Sequence, residues 1–298
     1  MKVGILGNIE KPQIAEVAGG LIATLDDCRT DYHVHSELAK VLNRSKSRKK
    51  LPRGVALSET NLVKSCDILI ALGGDGTMLN VARLVGAAEV PILGVNLGKL
   101  GFLAEVSVDE LDDCVRDIVR GNYVIEERLV LKATSSNDKK TFYALNEIVI
   151  DRGASARVVE LETFVNNEYL VTYSADGIIV TTPTGSTAYS LASGGPIVTP
   201  SSEVITIAPI CPHMLTARPV IVPEDSHVRI VVGEGKHPVH ITADGQVEQI
   251  YDPPVEFAVM QAPYVVKLVR RRRYSYFGLL RAKLLWGKDP RLEQVSDL

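Results

Sequence analysis

The rhythm of hydrophobic positions along this chain changes near Tyr123. Before it, apolar runs suited to strands alternate with stretches that repeat at helical spacing. Val3 to Leu6 reads as a first strand, with Gly7-Asn8 as the turn at its end. Ile14, Val17, Leu21 and Leu25 then recur at the spacing of one helix face. Tyr32 to Val34 is expected as a second strand, with Glu37, Leu38, Val41 and Leu42 on the following helix. Ile68 to Leu72 and Val90 to Val95 are apolar enough for strands covered on both faces. Leu111, Val115, Ile118 and Val119 mark a helix that Gly121 would close. This alternation predicts a mostly parallel sheet with helices on its faces.

Beyond Tyr123, short strand-like runs dominate: Val130 to Ala133, Tyr143 to Ile150, Val158 to Phe164, Tyr169 to Ser174, Gly177 to Thr181, Val204 to Ala208, Val228 to Val232 and Val239 to Ala243. Val165-Asn166-Asn167-Glu168 reads as a hairpin loop. The expected fold class is therefore α/β plus all-β. A Rossmann-like α/β domain would occupy residues 1–123 and a β-sandwich-type domain residues 124–270. The apolar positions Tyr276, Phe277, Leu279, Leu280, Leu284, Leu285 and Trp286 predict that a tail, about 271–298, packs back on the first domain.

Composition narrows the function. Hydrophobic residues at 46% and charged ones at 23% are ordinary for a globular enzyme. A net charge of -3 argues against nucleic acid as a partner, and Arg270 to Arg273 read as surface charge or an oligomer contact. The basic stretch Arg44 to Arg53 reads as a flexible loop, either a solvated excursion or a flap over phosphates. Cys28, Cys66, Cys114 and Cys211 form no metal-ligand spacing, so each is expected in the core, in a reducing compartment. The apolar start is too short for a signal peptide and no run downstream would span a bilayer. A cytoplasmic protein without a membrane partner is expected.

Two stretches interrupt the regular pattern. The strand Ile68 to Leu72 stops at Gly73-Gly74-Asp75-Gly76-Thr77, followed by helical spacing. Glycines there let backbone approach a ligand, and a helix N-terminus attracts anions. Asp75 beside a phosphate needs another task, as metal ligand or proton acceptor; otherwise it is a capping residue of a tight turn. Neither G-x-x-x-x-G-K-[ST] nor a strand-borne G-x-G-x-x-G occurs. The second stretch, Thr181 to Pro196, concentrates Thr, Ser and Gly where a strand gives way to a short helix. Its hydroxyls and backbone N–H groups suit a polar ligand.

The Gly-Gly-Asp-Gly-Thr turn resembles the signature of a kinase superfamily that includes NAD kinases, diacylglycerol kinases and 6-phosphofructokinases. Thr181-Thr182-Pro183-Thr184-Gly185-Ser186-Thr187-Ala188-Tyr189-Ser190-Leu191-Ala192-Ser193-Gly194-Gly195-Pro196 is similar to the TPTGSTAYSLSxGGP segment of the NAD kinases, with Ala192 where serine is common. Asn146-Glu147 resembles that family's NE motif. Leu100-Gly101-Phe102-Leu103, Pro212-His213, Arg218-Pro219 and Asp244-Gly245-Gln246 fit it too, so the likeness runs from about residue 3 to 270.

That resemblance implies a reaction: the γ-phosphoryl group of ATP passes to the adenosine ribose 2′-hydroxyl of NAD+, giving NADP+ and ADP. Asp75 would be the general base. Gly73, Gly74, Gly76 and Thr77 would meet phosphate, helped by a divalent cation, Mg2+ by expectation, whose ligands stay unassigned. For NAD+ the implied contacts are Asp75, Gly76, Asn146 at the adenine edge and Glu147 at ribose hydroxyls. Thr187, Ala188, Tyr189, Ser190, Leu191 and Ala192 would line the pocket, and Asp176 would meet the nicotinamide end. Arg157, Ser174 and Gln246 match ligand-contacting positions, the first two often serving a neighbouring subunit. His213 is a further candidate or a structural histidine. The family also implies a homodimer or homotetramer. Two rivals stay open: a kinase of the same superfamily acting on a lipid or sugar, and a protein that binds NAD(P) without turnover.

Overall fold

The structure, a computed structural model, describes residues 1–44, 51–235 and 237–286. Its first sheet has eight strands. In spatial order seven are Ala56–Leu57, Asp31–His35, Lys2–Gly7, Ile68–Gly73, Ile92–Asn96, Val266–Arg270 and Val124–Arg128, while Val106–Ser107 pairs with Ile92–Asn96. The pairs among the first five run parallel. Every residue of Ile68–Gly73 and Ile92–Asn96 is buried, as the continuous apolar runs require. Their cover includes helix Ile14–Asp27, through Ile14, Val17, Leu21 and Leu25, and helix Leu111–Val119, through Leu111, Val115 and Ile118. Gly73 lies opposite Asn96, so both strand ends reach one edge of the sheet. Leu97 N–H donates to the Gly73 carbonyl at 2.9 Å and fixes that edge. Most of the expected basic loop, residues 45–50, lies outside the described residues.

The later chain forms two six-stranded antiparallel sheets. One runs Val220–Pro223, Val204–Ile210, Gly177–Thr181, Glu147–Asp151, Val239–Ala243 and Val247–Tyr251. The other runs Glu168–Ala175, Val159–Val165, Val228–Val232, Val255–Gln261, Leu131–Ser135 and Thr141–Ala144. A single core holds Ile148, Ile178, Ile207 and Ile241 from one sheet and Leu131, Leu161, Ile230 and Phe257 from the other. The alternation of inward and outward residues in Leu131–Ser135 and Val239–Ala243 is what such a sandwich needs. The hairpin at Asn166-Asn167 has φ of 51° and 67°, the left-handed pair that suits a two-residue turn.

Three features differ from the sequence pattern. Tyr143 to Ile150 is not one strand: Thr141–Ala144 pairs with Leu131–Ser135, while Glu147–Asp151 joins the other sheet. The break occurs because the N–H groups of Leu145, Asn146 and Glu147 turn to the Asp244 carboxylate. Val124–Arg128 and Val266–Arg270 belong to the first sheet, although spacing alone grouped them with the strand-rich region. All four cysteines are free, but only Cys66 and Cys114 are buried; Cys28 is half-buried and Cys211 exposed. Burial pushes the Cys66 thiol up to about 11 and that of Cys114 to about 12.

Taking described residues only, the chain divides into two units. Met1–Met78, Ile92–Ile125 and the residues from Val269 onward form one; Leu79–Pro91 and Glu126–Leu268 form the other. Helix Tyr276–Leu284 belongs to the first unit, where Lys283 donates to the Leu100 carbonyl. No helix among the described residues is long and apolar enough to cross a membrane.

Candidate active site

In the first unit, Asp75 is the opening residue of helix Asp75–Val85, directly after strand Ile68–Gly73 and Gly74. The helix turns down immediately because Gly73 has no side chain: a Cβ there would run into Thr77. Thr77 and Met78 N–H both donate to the Gly74 carbonyl, closing the first turn. Gly76 is exposed and Gly74 half-buried, so backbone at this helix start can meet a ligand.

The Asp75 carboxylate is held by backbone. Oδ2 accepts from Phe102 N–H at 2.8 Å, and Oδ1 accepts from Leu103 at 2.9 Å and Ala104 at 3.1 Å. Gly101 makes this seat possible, since a Cβ at that position would occupy the place of the carboxylate. With one protein donor on Oδ2 and two on Oδ1, a lone pair on Oδ2 remains for a hydroxyl proton.

The second unit repeats the device. Asp244, at φ 53°, accepts from Leu145 N–H at 2.9 Å on Oδ2, and on Oδ1 from Asn146 at 2.7 Å and Glu147 at 3.2 Å. Asn146 is locked from its other side too. Its carbonyl accepts Thr182 N–H at 2.9 Å and the Thr181 hydroxyl at 3.0 Å. Gly185 packs so closely on that carbonyl that a Cβ would collide with it. Thr182 Oγ1 donates to the Leu145 carbonyl and accepts Gly185 N–H, tying the Thr/Ser/Gly stretch to Asn146-Glu147. Ser186 Oγ joins Pro183 and Val198, and the buried Arg128 donates to Thr184 at 3.1 Å and to Glu126 at 2.8 Å.

What this scaffold presents is polar and buried. Glu147 is 7% exposed, and burial, with Asp244 beside it, pushes its carboxyl up to about 8 against a backbone bond from Tyr189. Burial likewise raises Asp244, against its three backbone donors. Glu147 Oε2 and Ser190 Oγ are buried without a hydrogen-bond partner among the described residues. Buried polar atoms are normally satisfied, so these two groups suit a polar ligand. Tyr189 is 45% exposed, and its phenol is raised by burial and by its neighbours Asp151, Cys211, Asp176 and Glu147. Thr187 and Ala188 are half-buried before it, Leu191 half-buried and Ala192 exposed after it. Gln246 follows the Asp244 turn, its N–H donating to the Ala243 carbonyl.

The remaining expected residues are placed differently. Asp176 makes a 2.7 Å ion pair with Arg152, a partner the sequence reading did not select. Ser174, two residues before that aspartate, receives His213 N–H on its carbonyl at 2.8 Å. Arg157 is exposed, and its backbone N–H donates locally to Ser155 Oγ at 3.2 Å. Among the described residues, no group of three or more His, Cys, Asp or Glu side chains is arranged to hold a metal. Sequence reasoning missed Asp244 and Gly101 as organisers. Their only local signals were an Asp-Gly turn and a glycine after Leu100.

Comparison with known proteins gives these positions a context. Residues 3–123 match the family model for the ATP-NAD kinase N-terminal domain, and residues 145–271 that for the C-terminal domain. A protein named NAD kinase from Geobacter sp. (strain M21) is 41% identical over 291 residues, 96% of this chain and 99% of the relative. The crystal structure of yeast NADH kinase complexed with NADH is similar with a TM-score of 0.88 and 29% identity, covering 97% of this chain and 89% of that one. An NAD kinase from Archaeoglobus fulgidus in complex with ATP shares the fold, with a TM-score of 0.73 at 20% identity over 95% and 99% of the chains.

Proposed function

Given that the chain belongs to the ATP-NAD kinase family, we propose how its residues divide the transfer of a phosphoryl group from ATP to NAD+. The adenosine ribose 2′-hydroxyl attacks the γ-phosphorus. Its proton passes to Asp75 Oδ2, the new O2′–P bond forms, the bond to the β-phosphate oxygen breaks, and ADP leaves. The observation that carries this reading is the Asp75 carboxylate, fixed by three backbone N–H groups at a glycine-rich helix start. An ordinary aspartate is a weak base at neutral pH, so fixed geometry must supply much of the effect.

Gly73, Gly74, Gly76 and Thr77 take the phosphates. Asn146 reads the adenine edge, and Glu147 and Ser190 take ribose or amide groups of NAD+. Thr187, Ala188, Tyr189, Leu191 and Ala192 line the pocket, while Asp176, Ser174, Arg157 and Gln246 complete it at its margins. Mg2+ bound to ATP would spread the charge of the transferred group. With the free Oδ2 lone pair of Asp75 given to the proton, such a cation would be carried on the phosphates of ATP rather than on this carboxylate. We read residues 1–123 as the phosphate-handling domain and 124–270 as the dinucleotide-binding and oligomerisation domain of a cytoplasmic homodimer or homotetramer.

The test is NADP+ formation from NAD+, ATP and Mg2+, with Asp75→Asn beside the wild type. Removing a general base costs about 10²–10⁴-fold in rate, with NAD+ binding retained. The three-donor seat also supports a second reading, in which Asp75 organises the Phe102–Ala104 backbone without taking the proton. Turnover within tenfold of wild type in Asp75→Asn would establish that role instead.

A further inference from the structure

The N–H groups that seat Asp75 are themselves held from behind. The carbonyl of Leu103 and the N–H of Ala104 belong to one planar peptide unit and point in opposite directions. On the N–H side, Ala104 donates to Asp75 Oδ1 at 3.1 Å. On the carbonyl side, Arg270 Nη1 donates to the Leu103 oxygen at 3.2 Å. Arg270 is 2% exposed and is fixed by an ion pair to Glu105 at 3.1 Å, with its guanidinium 4.8 Å from the Tyr274 ring centre. The Leu100–Gly101 peptide, three units upstream, has a similar brace. Lys283, on helix Tyr276–Leu284, donates to the Leu100 carbonyl and lies 5.6 Å over the Phe102 ring.

We propose that Arg270 is a positioning residue of the active site: seated on Glu105, it holds the Leu103–Ala104 peptide plane and so aims the Phe102–Ala104 N–H groups at Asp75. Stability alone is a poor account of this arrangement, because a buried ion pair is often no more stabilising than packed apolar side chains. What an apolar replacement cannot do is donate to the Leu103 carbonyl. Removing that donor frees the peptide to rotate, and rotation takes the Ala104 N–H away from Asp75. The inference rests on Asp75 being the catalytic carboxylate, so its test separates the two.

Amide hydrogen exchange across residues 101–105 reads the brace without reference to activity. Arg270→Met is expected to speed exchange there by about tenfold or more, while Arg270→Lys, which keeps a single donor, restores part of the protection. In the kinase assay Arg270→Met should lower kcat by up to about 10²-fold, the scale of a small misplacement of a reacting group, and move KM for NAD+ and ATP less than threefold. The double variant Asp75→Asn/Arg270→Met should be no slower than Asp75→Asn alone, because the effect passes through one carboxylate. If Arg270→Met does not fold, Glu105→Gln loosens the same brace and is expected to show the same exchange and kcat changes. Folded Arg270→Met with unchanged exchange and kcat overturns the proposal, as does a double variant whose losses multiply. If Asp75→Asn retains turnover, the base assignment fails while the exchange result still decides the brace.

Discussion

Asp244 Oδ1 accepts the backbone N–H of Asn146 at 2.7 Å, and this bond diverts the chain from one sheet to the other. The adjoining N–H groups of Leu145 and Glu147 meet the same carboxylate. Presentation of the Asn146 and Glu147 side chains therefore depends on a residue that need not touch the ligand.

Asp244→Asn replaces one acceptor oxygen by an NH2 group that must face an N–H donor. The clasp loses a bond and gains a repulsive contact, and Asn146-Glu147 shifts. KM for NAD+ should rise by about tenfold or more, equal to ~1.4 kcal/mol, with KM for ATP unchanged. Calorimetric titration of NAD+ checks this; affinity within twofold of wild type removes Asp244 as an organiser.

Glu147 supplies a dependence on pH with a definite sign. Its folded carboxyl titrates near about 8 and its unfolded carboxyl near 4.5. Between these values the unfolded chain gives up the proton that the folded chain keeps, so stability contributed by this group falls as pH rises through that window. Glu147→Gln mimics the protonated form. Its melting temperature should match wild type below about pH 4.5 and exceed it by at least ~2–4 °C near pH 8, what about 1 kcal/mol is worth in a chain of this size. Parallel melting curves across the range would show that Glu147 is not held protonated.

Gly101→Ala places a methyl group where the Asp75 carboxylate sits. The aspartate must move while the fold around it has little reason to change. A kcat loss of about 10²-fold is expected, with a melting temperature close to wild type. Thermal unfolding measured beside steady-state kinetics tests the pairing; full activity would mean that the seat of Asp75 is dispensable.

Arg128 tests the scaffold rather than the chemistry. Its side chain is 3% exposed and joins Glu126 and Thr184. Arg128→Met should destabilise the protein by about 1–3 kcal/mol, the cost of leaving Thr184 without its buried donor, while Glu126 keeps partial access to water. Urea titration would show a lower midpoint at unchanged slope, and Glu126→Gln added to it should recover part of the loss.

The sequence by itself determined the local structure. Periodicity located helix Ile14–Asp27 and strands Lys2–Gly7 and Ile68–Gly73, and glycine chemistry marked the turn before Asp75. Those signals are short-range: a helix repeats within four residues, a strand within two, and a glycine acts where it stands. The residues proposed to face ligand were picked out through motif resemblance, again a contiguous signal. What holds them was decided only by tertiary structure. Asp244 reaches back 98 residues to Asn146, Asp75 forward 28 to Leu103, and Arg270 back 167 to the Leu103 carbonyl. Each contact ends on a backbone N–H or C=O, which every ordinary residue carries whatever its side chain, so the receiving end leaves no mark in the sequence. The same reason hid the break in Tyr143 to Ile150, a mostly apolar run with no Gly or Pro to interrupt it, in which the backbone donors turn to a distant carboxylate.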